Sequence, residues 1–335
     1  MKKINRFIIT AVIMLAAFCA FGTEKKSIVC VSFPGYDWVC NILGERSSEW
    51  NVTLLQSKGT DPHSWQPSFA DIAKISECDI FVYNGGESDK WAGKALQNVT
   101  NKSQIAVNLM DSLGDRAKAE EIVEGMQAEE GHHHHDGDED EHDGHHDDDD
   151  DECEIEYDEH IWLSLRNAVV LVGALTDAVA AADSANEPAY RDNAAVYIQQ
   201  LDDLDKQYQA AVDAASCKTV LFGDRFPFRY MTDDYGLQYY AAFAGCSAES
   251  EASFETVIFL ARKIDELGLR AILTIEKSNK KIAKTIAANT KIKKIKIMEL
   301  DSLQSVNMKE IKKGKSYLSV MIGNLEVLKK VLNNA

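Results

Sequence analysis

Three features of the 335-residue sequence predict an α/β protein of two lobes, each with a mainly parallel sheet flanked by helices. Short β-branched runs alternate with helical spacings along most of the chain, the pattern of strands joined by helical crossovers. The length and the 45% hydrophobic content support a substantial core, and a chain of this size divides more readily into two compact lobes than one. Between two such alternating series lies one long helical spacing, a candidate strut between the lobes.

The elements follow in order. Residues 1–22 read as an export signal: Lys2, Lys3 and Arg6 form a basic start, Phe7 to Phe18 an apolar run, and small residues follow at Ala20 and Gly22. The run is short for a membrane span of ~20 residues, and nothing later in the sequence is expected to supply one. Cys19 leaves two readings open, a lipid attachment site or an ordinary signal residue, although bulky Phe18 fits the first poorly. Either way the mature protein is expected outside the cytoplasm.

An N-terminal lobe is expected over 27–187. Strands are predicted at SIVCVSF from Ser27, NVTLLQ from Asn51, DIFVYNGG from Asp79 and IAVNLM from Ile105, with helices at Asp37 to Leu43, Phe69 to Ser76 and Lys90 to Leu96. Residues 117–159 are of low complexity and are expected to form a disordered loop, since they carry too little apolar surface to offset ordering entropy. Apolar spacing then predicts a buried helix from His160 to Asp183, with Asp158 and Glu159 placed to suit its positive end.

A linking helix is expected over 188–214, where Tyr197, Leu201, Leu204 and Tyr208 recur at spacings of three and four. A C-terminal lobe is expected over 215–335. Its strands are KTVLFG from Lys218, LQYYAAF from Leu237, AILTIE from Ala271 and KIKIMELD ending at Asp301. Its helices are one closing at Gly236, then Phe254 to Leu267, Ser278 to Ala288 and Leu318 to Leu332.

Charge and cysteine set further bounds. The stretch Glu129 to Glu159 holds 18 acids and no Lys or Arg, which equals the whole formal charge of −18. The rest of the chain is therefore near neutral, and nucleic-acid binding is disfavoured because no basic aromatic stripe exists. Apart from Cys19 there are six cysteines, an even count in a compartment where disulfides persist. Cys217 with Cys246 is the preferred pair because they bracket one unit; free buried thiols are the alternative. No C-x-x-C occurs, which disfavours a zinc knuckle or a thioredoxin-like site.

Histidine carries the chemistry. Seven of the nine, His132, His133, His134, His135, His142, His145 and His146, crowd into the acidic stretch. Neutral imidazole is a borderline donor suited to zinc, copper and nickel, and carboxylates raise the local cation concentration, so the tract reads as a low-affinity metal collector. The two others stand apart. His63 sits in GTDPHSWQPS, on a loop after a predicted strand, where ligand groups of open α/β sheets gather; Asp61 is placed to orient its ring. His160 stands where the tract meets a helix. Taken singly, each also fits a solvated histidine.

The run GTDPHSWQPSFADIAKISECDIFVYNGGESDKWAGK, the His-rich acidic loop, DEHIWLSLRNA and the long helix together resemble the metal-specific substrate-binding proteins of ABC importers, the zinc-uptake branch above all. The resemblance spans essentially the mature chain. It implies two α/β lobes joined by one rigid helix, a metal ion in the interlobe cleft, and His63 and His160 as ligands. Matching the family's Y/F-G-L turn to Tyr235-Gly236-Leu237 puts Arg225 at the third ligand's place, and arginine cannot coordinate a metal. The family's late-strand carboxylate matches Asp301, and Glu276 ends the neighbouring strand. Either Glu276 supplies the missing donor or water does, with Arg225 pairing to Asp224 or Glu276.

The resemblance implies a monomer, not an enzyme, that captures Zn²⁺ and presents it to a membrane permease. Manganese stays open because oxygen donors would form half the shell. Binding is expected to weaken as pH falls through histidine titration. A periplasmic metal buffer and a secreted zinc hydrolase are the rival readings; the second lacks both H-E-x-x-H and H-x-x-E-H.

Overall fold

The computed structural model describes residues 25–127, 156–247 and 251–333. The expected signal segment with Cys19, the seven tract histidines and Cys153 lie outside the described residues. The N-terminal sheet is built from β1 (Lys26–Cys30), β2 (Trp50–Leu54), β3 (Ile80–Tyr83) and β4 (Ile105–Asn108), all parallel, in the order β2-β1-β3-β4. The C-terminal sheet is built from β5 (Thr219–Phe226), β6 (Gln238–Ala244), β7 (Ala271–Ile275) and β8 (Lys296–Leu300), parallel in the order β6-β5-β7-β8. In both, the chain winds one way from the first strand and then crosses over it. Loops at the carboxyl edges of both sheets therefore become the natural ligand site.

Helices α1 (Phe33–Leu43), α2 (Phe69–Glu77), α3 (Trp91–Leu96) and α4 (Leu109–Leu113) belong to the first half of the chain. Then come α5 (Leu165–Ala182) and the 27-residue α6 (Glu187–Asp213), whose 1.5 Å rise per residue gives it a length of about 40 Å. The second half holds α7 (Arg229–Tyr235), α8 (Phe254–Leu267), α9 (Lys281–Asn289), α10 (Met308–Lys312) and α11 (Tyr317–Leu332).

Strand alternation explains how two sheets share one interior. Ile28 and Cys30 of β1, Ile80 and Val82 of β3, Val220 and Phe222 of β5, and Leu273 and Ile275 of β7 all enter one central core. Their alternate neighbours point the other way, as a period of two requires. Val29, Val31 and Phe81 pack into an outer cluster against Ile75 and Ala92, while Leu221 and Ile272 pack into another against Leu260 and Ile286. The long helix α6 supplies the central core with Tyr190, Ala194, Tyr197, Leu201, Leu204, Tyr208 and Val212, one buried stripe at spacings of three and four.

Buried aromatic side chains fix the two halves through their polar tips. Trp162 Nε1 donates to the Ser302 carbonyl at 2.8 Å, Tyr317 Oη to the Trp162 carbonyl at 2.6 Å, and Tyr208 Oη to the Met321 carbonyl at 2.6 Å. Each bond saturates a group that would be costly to bury unpaired.

Four expectations need correction. The helix after His160 does not begin there: Ile161–Leu163 form a 3₁₀ turn, and α5 starts after Ser164, whose hydroxyl accepts the Asn167 N–H as an N-cap. Residues 117–127 are not featureless, because Ala119 bridges to Tyr157, Gln127 bridges to Phe243, and Met126 enters the central core. Helix α5 is long and apolar enough to cross a membrane by length and composition, yet in the fold it packs within the central core. Cys217 and Cys246 are not bonded; Cys30, Cys40, Cys78, Cys217 and Cys246 are all free.

One buried acid ties the core to pH. Asp37 on α1 accepts the Tyr317 N–H at 3.2 Å and lies at 3.5 Å from Tyr197 Oη, so α1, α6 and α11 meet at its carboxyl. Burial pushes its pKa up to about 6, against an ordinary 3.8, even though those hydrogen bonds pull it down. The folded chain holds this proton more tightly than the unfolded one. The stabilising contribution is thus present below about pH 4 and lost as pH rises through about 6. In urea titrations, Asp37→Asn should match the parent near pH 4 and exceed it at pH 7 by roughly 2–3 kcal/mol. Equal stabilities at both pH values would refute this.

Candidate metal centre

The loop after β2 begins the site. Asp61 caps the 3₁₀ turn Pro62–Ser64, its Oδ1 accepting the His63 N–H at 3.1 Å, and this turn aims the His63 ring inward. The second ring comes from the segment Glu156 to His160, just before the 3₁₀ turn Ile161–Leu163. Tyr230 Oη on α7 donates to the Asp158 carbonyl at 2.9 Å, and Asp158 Oδ1 in turn accepts the His160 N–H at 2.8 Å. His160 is completely buried.

The two imidazoles meet at Nε2 to Nε2, 3.3 Å apart. Behind them the other ring nitrogens are engaged: His160 Nδ1 lies 2.9 Å from Asp158 Oδ1, and His63 Nδ1 lies 2.9 Å from Ser88 Oγ and 3.5 Å from Glu159 Oε2. The Asp158 carboxylate in front of His160 Nδ1 favours a proton there and a free lone pair at Nε2. With Nδ1 protonated on both rings the two Nε2 lone pairs face each other, and a shared cation satisfies both. Two Zn–N bonds of ~2.0–2.1 Å at the tetrahedral angle would separate their nitrogens by about 3.3–3.4 Å. The observed spacing is that of adjacent ligands.

The surroundings are acidic and close-packed. Glu159 Oε1 accepts the Ser88 N–H at 2.6 Å, and the loop can approach this near only because residue 86 is glycine: a Cβ there would lie 2.7 Å from the Glu159 side chain. Gly86 also has φ +76°, which favours glycine. Burial raises the Glu159 pKa, and burial together with the Glu159 charge carries Asp89 up to about 7. Cys246 completes the cluster. Its Sγ and one ring nitrogen from each histidine all lie within 4.8 Å of one another.

The other residues expected at the site take different places. Asp61 serves the His63 backbone rather than its ring; Ser88 and Glu159 face the ring instead. Arg225 does not pair with the Glu276 carboxylate. Its Nη2 reaches Asp61 Oδ2 at 2.5 Å across the cleft, and Asp224 Oδ1 only accepts its backbone N–H. Burial alone would raise the Asp61 pKa, but the guanidinium's hydrogen bond and charge more than offset it and hold the carboxyl below its usual range. Glu276 lines a cleft cavity of about 530 Å³ with Asp61, His63, Asp224 and Arg225. Its oxygens accept from Ser302 N and Oγ and from Ser305 Oγ. Asp301 lies 2.6 Å from Lys315 Nζ and accepts the Leu303 N–H at 2.9 Å. Thus His63 and His160 come together, Glu276 stands in the adjoining cleft, and Asp301 is engaged by a lysine.

The sequence reading missed Ser88, Asp158, Glu159 and Cys246 as neighbours of the imidazoles. For Asp158 a signal existed in the D-x-H spacing, which sets a carboxylate two residues before the ring it faces. Ser88 and Cys246 arrive from distant loops and left no local signal.

Comparison with known proteins places this arrangement. Residues 28–331 match the family described as ZnuA, zinc-uptake complex component A, periplasmic. The chain is 30% identical over 305 residues to the zinc-binding protein AdcA of Streptococcus pyogenes serotype M18, covering 91% of this chain and 56% of that protein. It thus spans little more than half the length of that relative. It is also 30% identical over 332 residues to the high-affinity zinc uptake system protein ZnuA of Bacillus subtilis, covering 96% of this chain and 95% of that one. Among solved structures, the Zn(II)-bound ZnuA-like domain of Streptococcus pneumoniae AdcA superposes with a TM-score of 0.69 at 27% identity, covering 92% of this chain and all of that domain.

Burial, then the charge of His160, lowers the His63 pKa to about 4 from an ordinary 6.5. The acid limit that this ring sets on cation binding therefore lies near its own lowered value. In the metal-free protein, ring-proton NMR should show His63 titrating near pH 4, and His160→Gln should move the midpoint upward. A midpoint near 6.5 in the parent would mean the ring is hydrated.

Proposed function

This chain belongs to the zinc-uptake complex component A family, and from that premise and the imidazole pair we propose that it is an extracytoplasmic solute-binding protein that captures Zn²⁺. It then presents the ion to the membrane permease of an ABC importer. The observation that carries the reading is the 3.3 Å approach of His63 and His160 through Nε2, with Nδ1 of each ring engaged behind. Both rings are aimed at one point, which is the arrangement that coordination of a single ion requires.

Zinc is favoured over manganese because two imidazoles form the core of the site, and imidazole suits the later first-row ions. Holding an ion is favoured over catalysis because His160 is fully enclosed, whereas hydrolysis needs a metal-bound water open to substrate. The domain layout proposed is an N-terminal lobe over 27–187, a linking helix over 188–214 and a C-terminal lobe over 215–335, following a cleaved leader. The relatives named as lipoproteins favour an anchor through Cys19. The tract histidines His132 to His146 are read as a collector that raises the cation concentration near the site.

Two measurements test this. Competition against a chromogenic chelator should show one tight zinc site in the parent, weakened roughly 100-fold or more by His63→Ala or by His160→Ala. Tight binding that survives both substitutions together would end the proposal. Deleting residues 129–156 should leave that one tight site in place while removing weaker binding; a variant with no tight site would instead put the metal in the tract.

A further inference from the structure

We infer that Cys246 is a third donor to the captured ion, a thiolate that closes a His63–His160–Cys246 triad and biases the site toward zinc and against manganese. The inference rests on the zinc-capture reading and concerns which protein atoms hold the ion.

Geometry supports it first. The three ligand atoms lie within 4.8 Å of one another, and in a tetrahedral site with Zn–N of ~2.0–2.1 Å and Zn–S of ~2.3 Å an N to S edge is about 3.5 Å. The thiol therefore needs a movement on the order of 1 Å to join the imidazoles. It sits in the turn that follows β6.

The turn is shaped around His160. A Cβ at position 245 would stand 2.8 Å from His160 Cε1 and 3.0 Å from Nδ1, so glycine is what lets the chain lie on the ring and bring the next residue beside it. Arg225 secures the same turn from the other side, its Nη1 donating to the Ser247 carbonyl at 3.4 Å while Nη2 holds Asp61. Strands β5 and β6 are neighbours, with Arg225 opposite Phe243 in the register. Arginine stands at the position the sequence match gives to a ligand, and the thiol comes from the end of the adjacent strand.

The environment separates this cysteine from the structural ones. Cys30 and Cys78 are packed in apolar clusters, where a thiol serves as a small inert hydrophobe. Cys246 instead has Glu120, Asp158 and Glu159 around it, and its N–H donates to Glu120 Oε1 at 3.3 Å. In that acidic surround a thiolate is costly by itself and favourable beside a divalent cation, whose arrival sends the thiol proton to solvent. A thiolate donor selects zinc, cadmium or cobalt over manganese, which prefers oxygen ligands.

Cobalt(II) is the probe, in the full chain carrying Cys153→Ser so that the tract contributes no thiol. One equivalent should bind with tetrahedral visible bands and a near-ultraviolet sulfur-to-cobalt charge-transfer band. Cys246→Ser should abolish the charge-transfer band and weaken zinc binding roughly 10- to 100-fold, with the metal-free thermal midpoint unchanged. Cys246→His should recover zinc affinity without the band. Cobalt bound through His63 with no charge-transfer band, or a band that persists in Cys246→Ser, would overturn the thiolate donor and leave zinc capture standing. A parent that retains neither cobalt nor zinc would overturn the capture reading itself.

Discussion

Two imidazoles held Nε2 to Nε2 at 3.3 Å, one of them fully buried, form an arrangement that folding alone does not favour. Much of the surrounding structure serves to hold it. His63 and His160 are 97 residues apart and reach the same point from different loops. Neither ring can swing aside, because Asp61 and Asp158 take the two backbone N–H groups and Ser88, Glu159 and Asp158 take the Nδ1 positions. A buried polar group that is fully satisfied on one side and left open on the other stores a preference for whatever fills the open side. Here that is a cation.

The precision of the approach depends on the two sheets sharing an interior. Were the lobes joined only by α6, thermal bending would move the rings by more than the tolerance of a coordination bond. The inward faces of β1, β3, β5 and β7 instead contribute to one core with α6, and Trp162, Tyr208 and Tyr317 bond across it. Freedom is left in the loops, where contacts between the cleft walls are polar and partly solvated. The Asp61–Arg225 pair is one, and the Lys58–Asn307 bridge is another. These contacts lie outside the apolar core, so the cleft walls are joined by polar groups rather than by packed side chains.

Much of this was legible in the sequence. Alternating strands and helices, the apolar stripe of α6 and the isolation of two histidines from the other seven are local patterns, and local patterns survive in one dimension. The start of α5 was misplaced because the apolar spacing continues unbroken through Ile161 and Trp162, while the Ser164 cap that decides the boundary carries no periodicity. Arginine cannot coordinate a metal, and Arg225 was expected to pair with Asp224 or Glu276, whereas its guanidinium spans the cleft to Asp61. Cys246 was weighed as half of a disulfide because it and Cys217 bracket one unit, with free thiols as the alternative. Its actual neighbours, a ring from the far side of the acidic tract and another from the first lobe, are set by tertiary contacts that no spacing records.

Electrostatics decides what the cleft can accept. Its basic side chains are already engaged: Arg225 with Asp61, Lys315 with Asp301, and Lys277 with the carbonyls of Ser305 and Gly59. Among the described residues Glu120, Asp158 and Glu159 make no such pair with a lysine or arginine, and they surround Cys246 beside the imidazoles. The acidic tract is rooted at this same place. Its return end pairs with its departure through the Glu120 N–H and the Glu156 carbonyl at 2.7 Å, and the same Glu120 accepts the Cys246 N–H through its side chain. From Glu156 the chain needs four residues to reach His160. Glu120, Glu156 and the turn that carries Cys246 are therefore one hydrogen-bonded unit beside His160.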